Sequence, residues 1–191
     1  MTRTAAILIG LALVGVVALS QLSEFAGSGV DGPLPLDHAA VIRQQARAKG
    51  LPPELIAGVI YAETGFRSRR SPAGAEGLMQ VLPDTATFIA RKSGGSAFTT
   101  ADLANPAVNI RYGSWYLRYL LQRYSGNRLE AVSAYNAGMA NVDRWKSQAM
   151  AEGHRFGLSD VGFAETRAYT QRVLKAAQRY RKAYPVELGI A

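Results

Sequence analysis

The sequence predicts an all-α domain of about seven short helices. Three observations predict it. Helix starters (Asn-Pro, paired Pro, Asn) alternate with Gly stops along most of the chain. Apolar residues recur at helical spacing between them. No stretch shows convincing apolar/polar alternation of period two, and no internal repeat is visible.

The elements follow in order. Asp37 offers a side-chain cap to a first helix that ends at Lys49, with Gly50 as its stop. Pro52 and Pro53 suit the first turn of a second helix that runs to Thr64 and closes at Gly65. A loop with Pro72, Gly74 and Gly77 comes next. Pro83 opens a third helix through Arg91, ended by Gly94-Gly95. Asn105-Pro106 starts a long fourth helix to Tyr124, with Ile110, Leu117, Leu120, Leu121 and Tyr124 at helical spacing. Asn127 caps a fifth to Asn136, stopped by Gly138. A sixth covers Ala140 to Met150. The last runs from Ala164 to Tyr184, and Pro185 ends it.

The N-terminus differs. Arg3 precedes an uncharged apolar run from Ala5 to Leu19, the shape of an export signal. The run is short for a membrane span, which needs about 20 residues. Residues 1–20 are expected to be a signal peptide or an uncleaved membrane anchor. Residues 21–35, rich in Ser, Gly and Pro, read as a linker, and 36–185 as one folded domain.

Composition narrows the chemistry. The chain has no cysteine, which excludes a thiol nucleophile, thiolate metal sites and a lipidated N-terminal cysteine. Only His38 and His154 are present, and no calcium-loop pattern appears, so neither a metal nor a cofactor is expected. The net charge of +8, from 22 basic and 14 acidic residues, favours polyanionic partners or a merely solvated basic surface.

Glu63 stands out. It lies four residues after Val59 and seven after Ile56, on the apolar face of the second helix. A carboxyl held against apolar groups has a raised pKa, which suits a general acid near neutral pH. The alternative is a helix-end Glu turned to water, or one neutralised by Arg67, Arg69 or Arg70. Glu54, in the first turn, reads as a structural carboxylate on the helix dipole. Asp84 reads as a capping acid after Pro83. In Ser71 to Gln80, Gly74 and Gly77 allow tight turns, Gln80 carries both a donor and an acceptor, and Met79 offers an adaptable apolar surface. The segment also fits a plain loop followed by core Leu78 and Met79. Tyr135 and Asn136 can aim polar tips into a groove, or serve as a core aromatic and a C-cap. Glu165 and Arg167 can pair or cap, and Tyr169 falls in line with Val173, Ala177 and Tyr180.

Four segments together carry more than each alone. They are Glu63-Thr64-Gly65-Phe66, Gly74-Ala75-Glu76-Gly77-Leu78-Met79-Gln80, Ala134-Tyr135-Asn136-Ala137-Gly138 and Glu165-Thr166-Arg167-Ala168-Tyr169. In this order they resemble the soluble lytic transglycosylase family. The resemblance implies a single lysozyme-like catalytic domain and a peptidoglycan lytic transglycosylase. It implies Glu63 as catalytic acid and base, with Ser71, Met79, Gln80, Tyr135, Asn136 and Tyr169 binding substrate. The implied reaction cleaves the β-1,4 bond between N-acetylmuramic acid and N-acetylglucosamine and leaves 1,6-anhydromuramyl ends. Implied partners are peptidoglycan glycan strands, met by an exported monomer in the periplasm or cell envelope, with the N-terminus as a possible membrane anchor. The chain departs from the family at Thr64, where Ser is usual, and in a loop before Gly77 that is one residue shorter.

Rival readings are a muramidase that uses water, and a non-catalytic wall-binding module. A nucleic-acid binder is disfavoured: its best support is Arg179-Tyr180-Arg181-Lys182, more often a solvated helix end.

Overall fold

A computed structural model describes residues 34–94 and 99–190. The expected signal or anchor lies outside these, as do Gly95 and all of the expected linker except Leu34 and Pro35.

Among the described residues, seven α-helices follow the expected order: α1 (Ala39–Lys49), α2 (Pro53–Thr64), α3 (Pro83–Ser93), α4 (Pro106–Arg123), α5 (Arg128–Ala137), α6 (Met139–Ala151) and α7 (Ala164–Ala183). Short 3-10 turns at Thr100–Ala104 and Leu158–Asp160 interrupt the connections. Among the described residues there is no strand. The loop between α2 and α3 instead makes isolated antiparallel bridges, Arg70 with Glu76 and Glu76 with Val81.

Local signals set most ends. The Asn105 side chain accepts from the amides of Ala107 and Val108, and Asn127 from those of Leu129 and Glu130. The start of α1 corrects an expectation. His38, not Asp37, takes the N-cap position, in a left-handed conformation with no side-chain cap bond. Tertiary contacts hold this segment instead. Tyr180 and Tyr184 on α7 donate hydroxyl bonds to the carbonyls of Pro35 and Leu34, each at 2.5 Å. Leu34 is buried in the core, so the packed body includes residues assigned to the linker. At the other end Leu188 is buried too, and Arg43 donates to the Glu187 carbonyl. The packed body therefore passes residue 185.

Helix α2 is the centre of the domain. Residues 54–60 are buried without interruption. A helix apolar on all sides must be enclosed, and α1 and α7 enclose this one. Leu55, Ile56, Val59 and Ile60 join one core cluster with Ile42, Met79, Ile110 and Val173. A second cluster gathers Leu120, Tyr124, Val142 and Trp145 between α4, α5 and α6. Tyr116, Leu121 and Tyr135 pack against both clusters and mark the seam between them.

Glu54 opens α2 from a buried position. Its carboxylate lies 3.4 Å from Arg181 and 3.8 Å from Arg128, tying three helices together. This accounts for part of the basic run near the C-terminus. Arg181 serves Glu54, and Tyr180 is buried.

The α2–α7 crossing is close because Gly58 has no side chain. A Cβ there would lie 2.8 Å from the Val173 carbonyl oxygen and 3.1 Å from the Ala177 nitrogen. Gly58→Ala would gain about 1 kcal/mol in helix propensity. Overpacking against a backbone costs about 1–3 kcal/mol, so the clash wins. Thermal denaturation should show a lower Tm for Gly58→Ala, and an equal or higher Tm would mean that the crossing is looser than described.

Candidate active site

The site begins where α2 ends. Gly65 adopts a left-handed conformation (φ 58°) that stops the helix, and Glu63 occupies its last turn. Glu63 is partly exposed. Its Oε1 accepts a hydrogen bond from the Tyr169 hydroxyl at 2.7 Å. Of the arginines weighed as an alternative, neutralising set, two have other bonds. Arg69 donates to the Glu63 backbone carbonyl at 3.0 Å, and Arg70 pairs with Glu76 at 3.1 Å.

The Glu63 pKa is raised to about 7. Loss of water around the carboxyl is the main cause. The Tyr169 hydroxyl and the positive charges of Arg172 and Arg69 pull it back down, while Glu165 pushes it up. A helix C-terminus, with its partial negative charge, also disfavours a carboxylate. Glu63 thus holds a proton that it can release and recover near neutral pH.

Tyr169 is buried on α7, in line with Val173, Ala177 and Tyr180, which are buried too. It therefore packs as a core residue and still delivers its hydroxyl to Glu63. Burial, then the field of Glu63, holds its phenol well above the usual pKa, so it stays a neutral donor. Arg172 lies over its ring, 5.9 Å from the centroid. Tyr135, on α5, completes the cluster. Burial and the field of Glu63 raise its phenol likewise. Its hydroxyl donates to the Met79 carbonyl at 3.0 Å.

The loop from Gly65 to Leu82 is the third wall. The Thr64 hydroxyl donates to the carbonyls of Leu78 at 2.8 Å and Ile60 at 3.2 Å. Here lies the use of a hydroxyl directly after Glu63: it ties the helix end to the loop. Asn109 of α4, fully buried, anchors the same loop. Its Oδ1 accepts from the Met79 amide at 2.8 Å, and its Nδ2 donates to the carbonyls of Glu76 at 2.7 Å and Leu103 at 3.1 Å. Gly77 (φ 73°) is required for this approach, since a Cβ would lie 2.3 Å from the Asn109 amide nitrogen. Sequence reasoning missed Asn109. The available signal was a polar residue beside Ile110 on the buried face of α4.

The other expected site residues are placed as follows. Gln80 is partly exposed with φ 47°, a conformation uncommon outside glycine. Its side-chain amide stabilises that turn by donating to the carbonyls of Gly77 at 2.8 Å and Arg69 at 2.9 Å. Ser71, partly exposed, starts a tight turn in which its Oγ accepts from the Ala75 amide at 3.0 Å. It makes no hydrogen bond to Glu63, Tyr135 or Tyr169 among the described residues. Asn136 is not the C-cap of α5, a position taken by Gly138. Its Oδ1 accepts from the buried Thr166 hydroxyl at 2.6 Å and pins the start of α7. Met79 corrects an expectation. Its side chain is 0% exposed and packs against Gly113, so it offers no surface. Glu165 and Arg167 do not pair. Arg167 donates to the Val161 carbonyl at 2.9 Å.

Comparison with known proteins places this arrangement. The all-α fold is shared with solved lytic transglycosylases. The lytic transglycosylase Slt from Pseudomonas aeruginosa, solved as an inactive Glu-to-Gln mutant, superposes with a TM-score of 0.74 at 33% identity. The match covers 86% of this chain and 27% of that one. The 70-kDa soluble lytic transglycosylase in complex with bulgecin A gives 0.73 at 29% identity, over 78% of this chain and 25% of that one. Residues 40–155 match the family described as Transglycosylase SLT domain, and the chain belongs to that family. Soluble lytic murein transglycosylase of Escherichia coli K12 is 30% identical over 151 residues, 77% of this chain. Membrane-bound lytic murein transglycosylase C of Actinobacillus pleuropneumoniae serotype 5b is 31% identical over 162 residues, 73% of this chain. The chain spans 23% of the former's length and 44% of the latter's.

Asn109→Ala removes a buried amide and leaves one backbone N–H and two carbonyls without it. Each orphaned group costs about 1–3 kcal/mol. Denaturant unfolding should show a loss of at least about 2 kcal/mol. A loss below about 0.5 kcal/mol, the range of ordinary surface changes, would mean that the loop does not need this anchor.

Proposed function

We propose that the chain is a peptidoglycan lytic transglycosylase. It cleaves the β-1,4 bond between N-acetylmuramic acid and N-acetylglucosamine and leaves a 1,6-anhydromuramyl end. One observation carries the reading: Glu63 keeps its proton to about pH 7 beside the Tyr169 hydroxyl, in the family's own catalytic domain. The lytic murein transglycosylase relatives and the inactive Glu-to-Gln mutant of the Pseudomonas aeruginosa enzyme support it.

The reaction needs a group that gives a proton and then takes one. Protonated Glu63 donates to the glycosidic oxygen, and the bond from that oxygen to the anomeric carbon breaks. The N-acetylglucosamine side leaves with the proton. Positive charge develops at the muramyl anomeric carbon, where the substrate's acetamido oxygen can meet it. Glu63, now a carboxylate, is held by the Tyr169 hydroxyl and by the fields of Arg172 and Arg69. It removes the proton from the muramyl 6-hydroxyl, whose oxygen closes the anhydro ring. Glu63 ends as it began, and no water is consumed. Inverting glycosidases divide these tasks between two carboxylates, whereas here one residue performs both in turn. The ring-closing hydroxyl belongs to the same sugar, so it reacts at a high effective concentration.

Ser71, Gln80, Tyr135 and Asn136 are proposed to contact the sugars on either side of Glu63. Met79 acts only through its backbone. The Gln80 Oε1 and the Asn136 Nδ2 are not used in the bonds that fix these side chains. They suit the acetamido groups and hydroxyls of such a substrate. The same reading places the enzyme in the periplasm or envelope, with residues 1–20 as signal or anchor. Among the described residues, no helix is long and apolar enough to cross a membrane.

Glu63→Gln keeps size and hydrogen bonding but carries no exchangeable acid. It should fold normally and lose nearly all release of fragments from purified sacculi. Wild type should yield anhydro-ended products by mass spectrometry. Reducing ends instead would make it a hydrolase of muramidase type, and turnover by Glu63→Gln within a few-fold of wild type would end the assignment. The pH dependence has a fixed sign. The first step needs protonated Glu63, whose population falls as pH rises through about 7, so kcat/KM should fall there.

A further inference from the structure

The two ends of α7 do different work. The helix is 20 residues long, about 30 Å. Its first turns bring Tyr169 to Glu63. Its far end receives the chain as it enters the folded body, where Tyr180 and Tyr184 hold the carbonyls of Pro35 and Leu34. The site and the point of entry therefore lie toward opposite ends of this helix.

The entry end carries a mixed surface that the core does not use. After α7 the chain closes a turn in which the amides of Gly189 and Ile190 donate to the carbonyls of Val186 and Pro185. Leu188 of that turn is buried. Val186, at 74% exposed, is the most open large apolar side chain among the described residues. Leu36, Pro185 and Ile190 also keep part of their surface open at this end. Basic side chains edge the patch. Arg43 of α1 donates to the Glu187 carbonyl. A Cβ on Gly189 would lie 3.2 Å from Arg43 Cδ and 3.5 Å from Arg47 Nη2. Lys182, exposed, lies one helical turn before Val186. Two acids, Asp37 and Glu187, share this end with Arg43, Arg47, Arg179 and Lys182, so positive charge prevails.

A single exposed valine or a solvated lysine needs no explanation. Apolar tips rimmed by Arg and Lys form a surface suited to lipid headgroups, where the tips reach the acyl boundary and the charges meet phosphate. Other partners fit less well. A second copy would set these basic residues against themselves. A polyanionic wall polymer offers no apolar layer to Val186. The sequence adds where a bilayer would be. The apolar run Ala5–Leu19 precedes this point, and residues 20–33 between that run and Leu34 span at most about 50 Å.

We propose that the entry end of the domain, Val186 with Arg43, Arg47 and Lys182, rests on the anionic headgroups of a phospholipid bilayer and holds the Glu63 end of α7 away from the membrane. This surface goes beyond the glycan-cleaving reading and does not depend on it.

The test uses the full chain, which has no cysteine, so one introduced thiol carries one label. Val186→Cys, labelled with a polarity-sensitive fluorophore, is mixed with phosphatidylcholine vesicles with or without phosphatidylglycerol. Emission should shift to the blue with phosphatidylglycerol and much less without it, and added salt should reverse the shift. The same label at Ser68→Cys, in the exposed loop after Glu63, should not shift. Adding Arg47→Glu/Lys182→Glu to Val186→Cys should abolish the shift. Both side chains are exposed, so the Tm should hold. If that variant does not fold, the salt reversal in Val186→Cys decides.

No shift at Val186→Cys, equal shifts on both vesicle types, or equal shifts at Ser68→Cys and Val186→Cys would overturn the proposal. So would a shift with purified sacculi but not with vesicles. Flotation of the same samples reports whether the N-terminus holds the chain on the bilayer, so loss of anchoring and loss of contact at Val186 are read separately. Failure of wild type to cleave sacculi would sink the functional reading instead, and the label would still decide the surface.

Discussion

Everything at the site depends on how closely α7 crosses α2. Gly58 lets the backbones approach until only a hydrogen atom fits between them. That approach brings the Tyr169 hydroxyl within 2.7 Å of the Glu63 carboxyl. The rest of the core keeps the crossing in register. Glu54 joins the start of α2 to Arg128 of α5 and Arg181 of α7, and Tyr180 and Tyr184 clasp the chain before α1. Asn136 fixes the first turn of α7 through Thr166.

Opposing electrostatic effects then decide what that carboxyl can do. Burial disfavours its charge, while the tyrosine hydroxyl and two guanidinium fields favour it. Burial wins, but not by far, and the result is about 7. Without the donors the acid would cling to its proton. Without burial it would have lost the proton long before neutral pH. A group that must give and then retake a proton works best when neither form is strongly preferred.

Much of the fold was legible because its signals are local. Asn105 and Asn127 cap the helices they precede, and Gly50, Gly65, Gly94 and Gly138 follow the helices they stop. Asp37 failed as a cap because long-range bonds from α7 set the backbone around it, and a local rule cannot see those. The 3-10 turn at Thr100–Ala104 was missed because five residues carry no helical period, though Thr99 and Asp102 form a capping box. At the site, helical phase put Glu63 on the apolar face of α2 and Tyr169 in line with core residues, while only the order of the four motifs, through the family resemblance, joined these two with Tyr135. The supporting set was not legible. Asn109 reaches across thirty positions to Met79, and Arg172 acts on Glu63 from a different helix. Met79 itself shows the limit. In an irregular loop no period tells which way a side chain turns, and this one turned inward.

The central claim is that Glu63 titrates near neutrality in the free protein. Carbon-detected NMR of selectively labelled Glu carboxyls, assigned by the loss of one signal in Glu63→Gln, measures it directly. The account predicts a midpoint of about 7 for that signal. A midpoint near 4.5, the ordinary value for a glutamate, would contradict it.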